Sequence, residues 1–175
     1  MLQYREGAGG AFDRLYARHK GPLYRFVLRS IRDRAIAEEL YQEIWMRVVE
    51  ARARYEPQAR FTTWLYTIAH NRMVDHWRRK GLSIVSLDTD PDDPIDPPAS
   101  PAEDPARKLE SKERIARFVR ALEALPPAQR EAFLLREEAD MSVAEIARAT
   151  GANEEAAKSR LRYALAKLKE AAGDD

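Results

Sequence analysis

The sequence predicts an all-α protein of two small helical domains joined by an extended, acidic, proline-rich linker. Three observations lead there. Apolar residues recur at three- and four-residue spacing through much of the first 80 positions and again beyond residue 111. Between Gly81 and Asp104 that spacing gives way to prolines at 91, 94, 97, 98 and 101, with Pro105 just beyond, interspersed with Asp88, Asp90, Asp92, Asp93 and Asp96. Proline removes backbone donors and clustered like charges repel, so this stretch cannot pack. Charge is also divided: residues 1–80 carry 16 Lys+Arg against 9 Asp+Glu, residues 81–113 carry 3 against 9, and residues 114–175 carry 11 against 11. A basic first segment points to polyanions, and an acidic connector to a basic groove on a partner. The expected organisation is a first domain over 1–80, a linker over 81–110 and a second domain over 111–175.

Composition excludes several classes. With 175 residues and 45% hydrophobic content, ordinary globular cores are within reach. No apolar run approaches the roughly eighteen residues of a membrane span, so no membrane insertion is expected. The opening MLQYREGAGGAF lacks an apolar signal core, and a cytoplasmic protein is expected. There is no cysteine; the imidazoles are His19, His70 and His76, and no carboxylate stands at a metal-ligand spacing from them. We find no nucleophile–base pair and no phosphate loop, so no catalytic residue, metal or cofactor is assigned.

Taken in order, Phe12, Leu15, Tyr16, Leu23, Tyr24, Val27 and Leu28 follow helical spacing, interrupted at Gly21-Pro22, which predicts two helices meeting there. Arg25, Arg29, Arg32 and Arg34 read as a solvated face. A helix over about 34–54 buries Leu40, Ile44, Val48 and Ala51 and turns Glu38, Glu39, Gln42, Glu43 and Trp45 outward. Three carboxylates beside an outward tryptophan suit a protein-binding ridge. Pro57 ends that segment. The next helix, FTTWLYTIAHNRMVDHWRRK over 61–80, has apolar Phe61, Trp64, Leu65, Ile68 and Ala69 in its first half. His70, Asn71, Arg72, Asp75, His76, Arg78, Arg79 and Lys80 crowd its second half. Arginine and lysine neutralise phosphate, asparagine and histidine read base edges, and aromatic rings stack on unpaired bases.

After the linker, Ile115, Phe118, Val119, Leu122 and Leu125 resume helical spacing up to Pro126-Pro127, and a helix with Phe133, Leu134 and Leu135 at its centre follows. Ser142 and Glu145 form a capping-box pair, Ile146 and Ala147 turn inward, and Gly151 supplies a tight turn. The last helix, from about Asn153, carries Lys158, Arg160, Arg162, Lys167 and Lys169. Short helix, glycine turn and basic helix make a helix-turn-helix pattern.

These motifs, EELYQEIW, FTTWLYTIAHN with VD and RR after it, the acidic linker, and LPPAQREAFLLR with ADMSVAEIARATG and KSRL, stand in the order found in one family. From about Ala11 to Lys169 the chain resembles a bacterial extracytoplasmic function (ECF, group IV) sigma factor of the sigma-70 family. The resemblance implies a sigma2-like bundle and a sigma4-like helix-turn-helix domain. It implies a promoter-specificity subunit that binds core RNA polymerase, through its beta and beta-prime subunits, and reads and opens promoter DNA. By position, Glu38, Glu39, Leu40, Gln42, Glu43 and Trp45 match the polymerase-docking segment. Asn71 matches the residue holding a base flipped from the minus-10 element, and Trp64, Tyr66, His70, Arg72, Asp75, His76, Arg78 and Arg79 fall in the same melting and minus-10 region. Lys158, Ser159, Arg160 and Arg162 fall on the helix that enters the minus-35 major groove. The linker matches a segment threading toward the RNA exit path.

Some positions depart from the family pattern. Ile36 stands where an acid commonly begins the docking motif, Glu154 and Glu155 stand at the entry of the last helix, and Tyr163 and Leu165 replace frequent basic residues. Thr62 and Thr63, expected beside the weakened ridge, are candidates for a phosphate that restores the missing charge, with a regulatory kinase as partner. An anti-sigma factor is a further partner of the kind the family has. The readings weighed against this one are a stand-alone helix-turn-helix regulator, disfavoured because no dimerisation heptad is visible, and a helical adaptor that does not bind DNA.

Overall fold

The computed structural model describes residues 1–81 and 106–172, the latter with side chains from residue 113 onward. Most of the expected linker, 82–105, lies outside the described residues. The described residues form eight α-helices and no strand: α1 (Leu2–Arg5), α2 (Ala11–Ile31), α3 (Arg34–Glu50), α4 (Phe61–Arg79), α5 (Ala106–Ala124), α6 (Pro127–Ala139), α7 (Val143–Thr150) and α8 (Glu154–Ala172). A 3-10 turn, Arg52–Arg54, follows α3.

In the first set, α2 and α4 pack on either side of α3. Leu23, Phe26 and Val27 of α2 meet Leu40, Ile44 and Val48 of α3 and Leu65, Ala69 and Met73 of α4 in one buried cluster. The stripe expected on α3 is therefore the buried one. Asp33 caps that helix, its carboxylate accepting from Ile36 N at 3.1 Å.

Where two helices were expected at Gly21-Pro22, α2 runs unbroken. Gly21 lacks the Cβ that would clash with the proline ring. Leu23, Phe26 and Val27, all wholly buried, hold the following turns against the core. That burial outweighs the ~3 kcal/mol an interior proline costs. Two other boundaries shift. Helix α3 ends at Glu50 rather than near 54, and residues 106–110, assigned to the linker, are already helical in α5.

In the second set, α8 packs against α5, α6 and α7. The capping box forms as its spacing predicts: Ser142 Oγ accepts from Glu145 N at 3.2 Å while Glu145 Oε2 accepts from Ser142 N at 2.9 Å. Gly151 takes φ +65°, a left-handed conformation that suits glycine and closes the turn. Asn153 then caps α8, its side chain accepting from Ala156 N at 2.8 Å.

The two sets also pack on each other, α7 against α4 and α6 against α2. This seam decides which functional side chains face solvent.

Candidate nucleic-acid interface

Helix α4 sorts its polar residues onto three sides, because positions three, four and seven apart share a face while intermediate ones do not. Trp64, Thr67, Asn71, Asp75 and Arg78 form an outer stripe. Asn71 and Arg78 are exposed, and Asp75 Oδ1 holds Arg78 at 2.9 Å.

Arg72, His76 and Arg79 turn instead toward α3, sharing a small hollow with Ile36, Glu39, Leu40 and Glu43. Arg72 is ion-paired to Glu43 and reaches Asp75 at 3.5 Å, leaving 14% of its side chain exposed. Desolvation is the main cause that holds the His76 pKa below its ordinary value, with Lys80 and Arg79 adding to it. Of the residues expected to touch DNA, Arg72 is thus a strut between α4 and the docking ridge.

The third side of α4 faces the seam. His70 Nδ1 lies 2.8 Å from Glu131, and both side chains are nearly buried. Thr63 is 1% exposed, with its hydroxyl 3.3 Å from Glu145. Tyr66, expected in the melting region, is buried, and its ring meets Phe26 edge-on at 5.0 Å. Glu138 accepts from Arg25 and Arg29, each at 2.8 Å, which joins two arginines expected to be merely solvated to α6. Arg130 crosses to Ser30 O at 3.2 Å, and burial pulls its pKa down to about 10. Glu131, Glu138 and Glu145 were missed by sequence reasoning. Their partners lie 61 to 113 positions away, and no local pattern joins them.

Thr63 stands nine residues before Arg72, or ~13 Å along the helix. It therefore lies at the seam, not beside the ridge, and buried against Glu145 it is closed to a kinase in this arrangement.

On α3, Glu39, Gln42, Glu43, Met46, Arg47 and Glu50 line an open groove with Arg72. Trp45, expected to project there, is 6% exposed and wedged between Phe12 at 6.0 Å and Tyr16 at 4.9 Å. Leu40 is buried as well. These two hold the ridge from beneath, and the exposed apolar residue on it is Met46.

Lys158 and Arg162 of α8 lie one turn apart and exposed, with Arg162 5.0 Å over the Tyr163 ring. Ser159 and Arg160 are partly buried beside them. The basic helix face is open to solvent even while the seam is closed.

Next to the outer stripe of α4 lies a cavity of about 540 Å³, walled by Arg54, Tyr55, Glu56, Gln58, Thr63, Trp64 and Thr67, with Arg148 reaching in from α7. The Tyr55 and Trp64 rings meet edge-on, 4.9 Å apart at 74°. Among the described residues no cluster of His, Cys, Asp or Glu could hold a metal, and no helix is long and apolar enough to cross a membrane.

A family model described as Sigma-70 region 2 matches residues 15–82, and one described as Sigma-70, region 4 matches residues 115–168. The RNA polymerase sigma factor CarQ of Myxococcus xanthus is 33% identical over 99% of this chain and 96% of its own length. The ECF RNA polymerase sigma factor SigK of Mycobacterium sp. (strain KMS) is 30% identical over 99% of this chain and 89% of its own. The solved sigma factor RpoE from Bartonella quintana, in complex with the anti-sigma factor NepR, superposes with a TM-score of 0.69 at 24% identity, covering 95% of this chain and 99% of that one, and so shares the fold.

Proposed function

The chain belongs to the sigma-70 family as an extracytoplasmic function sigma factor, and on that premise we propose which of its surfaces meets which partner. As a sigma factor it binds core RNA polymerase, recognises the minus-35 and minus-10 promoter elements and helps open the DNA. It catalyses no reaction of its own. Residues 1–80 and 111–175 act as the two working domains, and the linker over 81–110 connects them.

The α3 ridge, through Glu38, Glu39, Gln42, Glu43 and Met46, docks on polymerase, with Leu40, Trp45 and Arg72 fixing its shape. The outer stripe of α4 holds the displaced minus-10 strand: Asn71 hydrogen-bonds an extruded base, Trp64 offers a ring edge, and Arg78 meets phosphate. Arg79 and His76 flank this track on the ridge side. Lys158, Ser159, Arg160 and Arg162 enter the minus-35 major groove. Opening duplex costs ~1 to 2 kcal/mol of stacking per base step, and capture of a base on an aromatic or polar site returns a similar amount. His70 and Tyr66 lie within the seam, so their contact with DNA requires the two helical sets to part. Because solved proteins of this fold are complexes with the anti-sigma factor NepR and with the cytosolic domain of CnrY, a protein partner of that class is expected here too, acting in the cytoplasm.

The observation that carries this reading is the exposed Asn71 midway along the outer stripe of α4, in a chain whose helix-turn-helix also presents bare Lys158 and Arg162. A stand-alone regulator has no use for a sigma region 2 over 15–82. The test mixes purified core polymerase, this chain and genomic DNA and maps RNA start sites. Defined start sites that require both proteins are expected. Start sites unchanged by adding the chain would overturn the reading.

A further inference from the structure

We propose that the cavity beside Trp64 is a binding site for a free mononucleotide, closed only while the two helical sets are together. Its volume, about 540 Å³, falls within the range of small-molecule sites. Two guanidinium groups border it without a carboxylate partner. Arg54 makes no hydrogen bond or ion pair among the described residues, and Arg148 donates only to Gln58 O, at 3.5 Å. The one carboxylate on the wall is Glu56, so the lining is net cationic.

Guanidinium is the group best shaped to grip phosphate, with two parallel N–H donors per contact. Trp64 is partly exposed and gives a base a ring to stack against, with Tyr55 edge-on behind it. Thr67 donates its hydroxyl hydrogen to Thr63 O at 2.8 Å, which leaves its oxygen lone pairs to accept from an amino group of the ligand. An aromatic ring on a phosphate, within a space that admits one nucleotide and not a strand, satisfies all three features. Inorganic phosphate satisfies only the first.

Arg148 comes from α7, whereas the other walls come from the first helical set. A ligand that needs both is a clasp between them. At a ligand concentration about 100 times its Kd, the open population falls about 100-fold.

The experiment titrates the full chain with the 5′-monophosphates of adenosine, guanosine, cytidine and uridine, and with adenosine and inorganic phosphate as fragments, by calorimetry and tryptophan fluorescence. At least one monophosphate is expected to bind one-to-one with Kd below about 1 mM, and about tenfold more tightly than either fragment. Arg148→Ala and Arg54→Ala are each expected to weaken it by about tenfold or more. Both side chains are exposed, so the variants fold, and circular dichroism checks this. Arg148→Ala should leave start-site selection by the assembled polymerase unchanged. Three results would overturn the proposal: no monophosphate binding at or below about 1 mM, equal binding by Arg148→Ala, which places the ligand on the minus-10 strand track alone, or loss of start-site selection together with nucleotide binding in that variant, which makes Arg148 a promoter contact.

Discussion

Asn71 and Arg72 are neighbours in sequence with unrelated duties, because one helical step of about 100° turns one to solvent and the other to Glu43. Asn71→Ala is expected to lower open-complex formation by roughly tenfold or more, since one base–protein contact is worth ~1 to 3 kcal/mol, with polymerase binding intact. Permanganate footprinting read beside a core-binding assay checks it, and equal loss in both assays would remove Asn71 from the strand track. Arg72→Ala has the opposite signature: it leaves Glu43 unpaired on the ridge and should weaken core binding first. Glu145 offers a pH test. The backbone N–H of Ser142 is the largest cause holding its carboxyl below the ordinary value near 4.5, with the Ser142 hydroxyl, Arg60 and Thr63 contributing. Its folded pKa is the lower one, so its stabilisation is complete above that ordinary value and is lost as the pH falls through the folded one. Unfolding curves should therefore show an acid limb that flattens in Glu145→Gln; an unchanged limb would count against it.

At the scale of elements, the helix-turn-helix was readable in sequence because each of its signals is local. Ser142 and Glu145 cap across three residues, Gly151 turns within one, and the basic residues ride a single helix. Reading failed where a local signal met a distant partner. Pro22 argued for a break, but Phe26 and Val27 are held by α3 and α4. Pro22→Ala restores an internal hydrogen bond and is expected to raise stability by ~1 to 3 kcal/mol in urea unfolding; a fall would show that the proline sets a needed bend. Trp45 looked outward because its neighbours are carboxylates, while the rings that enclose it, Phe12 and Tyr16, lie some thirty residues earlier and could be placed only by folding. The three faces of α4 were legible as a wheel, but which face the second helical set covers was not.

At the scale of the whole molecule, the seam joins carboxylates of the second set to cations of the first: Glu131 to His70, Glu138 to Arg25 and Arg29, Glu145 to Arg60. Glu138→Arg would place three guanidinium groups together and is expected to part the two sets. The chain has no cysteine, so Met46→Cys and Tyr163→Cys give clean dye positions, and energy transfer between them should drop in the Glu138→Arg background. Added salt should move the parent chain in the same direction, though less, because Glu138 is largely shielded. Unaltered transfer in the charge-reversed chain would mean that apolar packing alone holds the seam. The same arrangement leaves Lys158 and Arg162 bare while His70 and Tyr66 are enclosed. Such a molecule engages its target in a fixed sequence: the grip on intact double helix is ready at rest, whereas the hold on separated strands is released only by an unclasping step, so landing precedes unzipping.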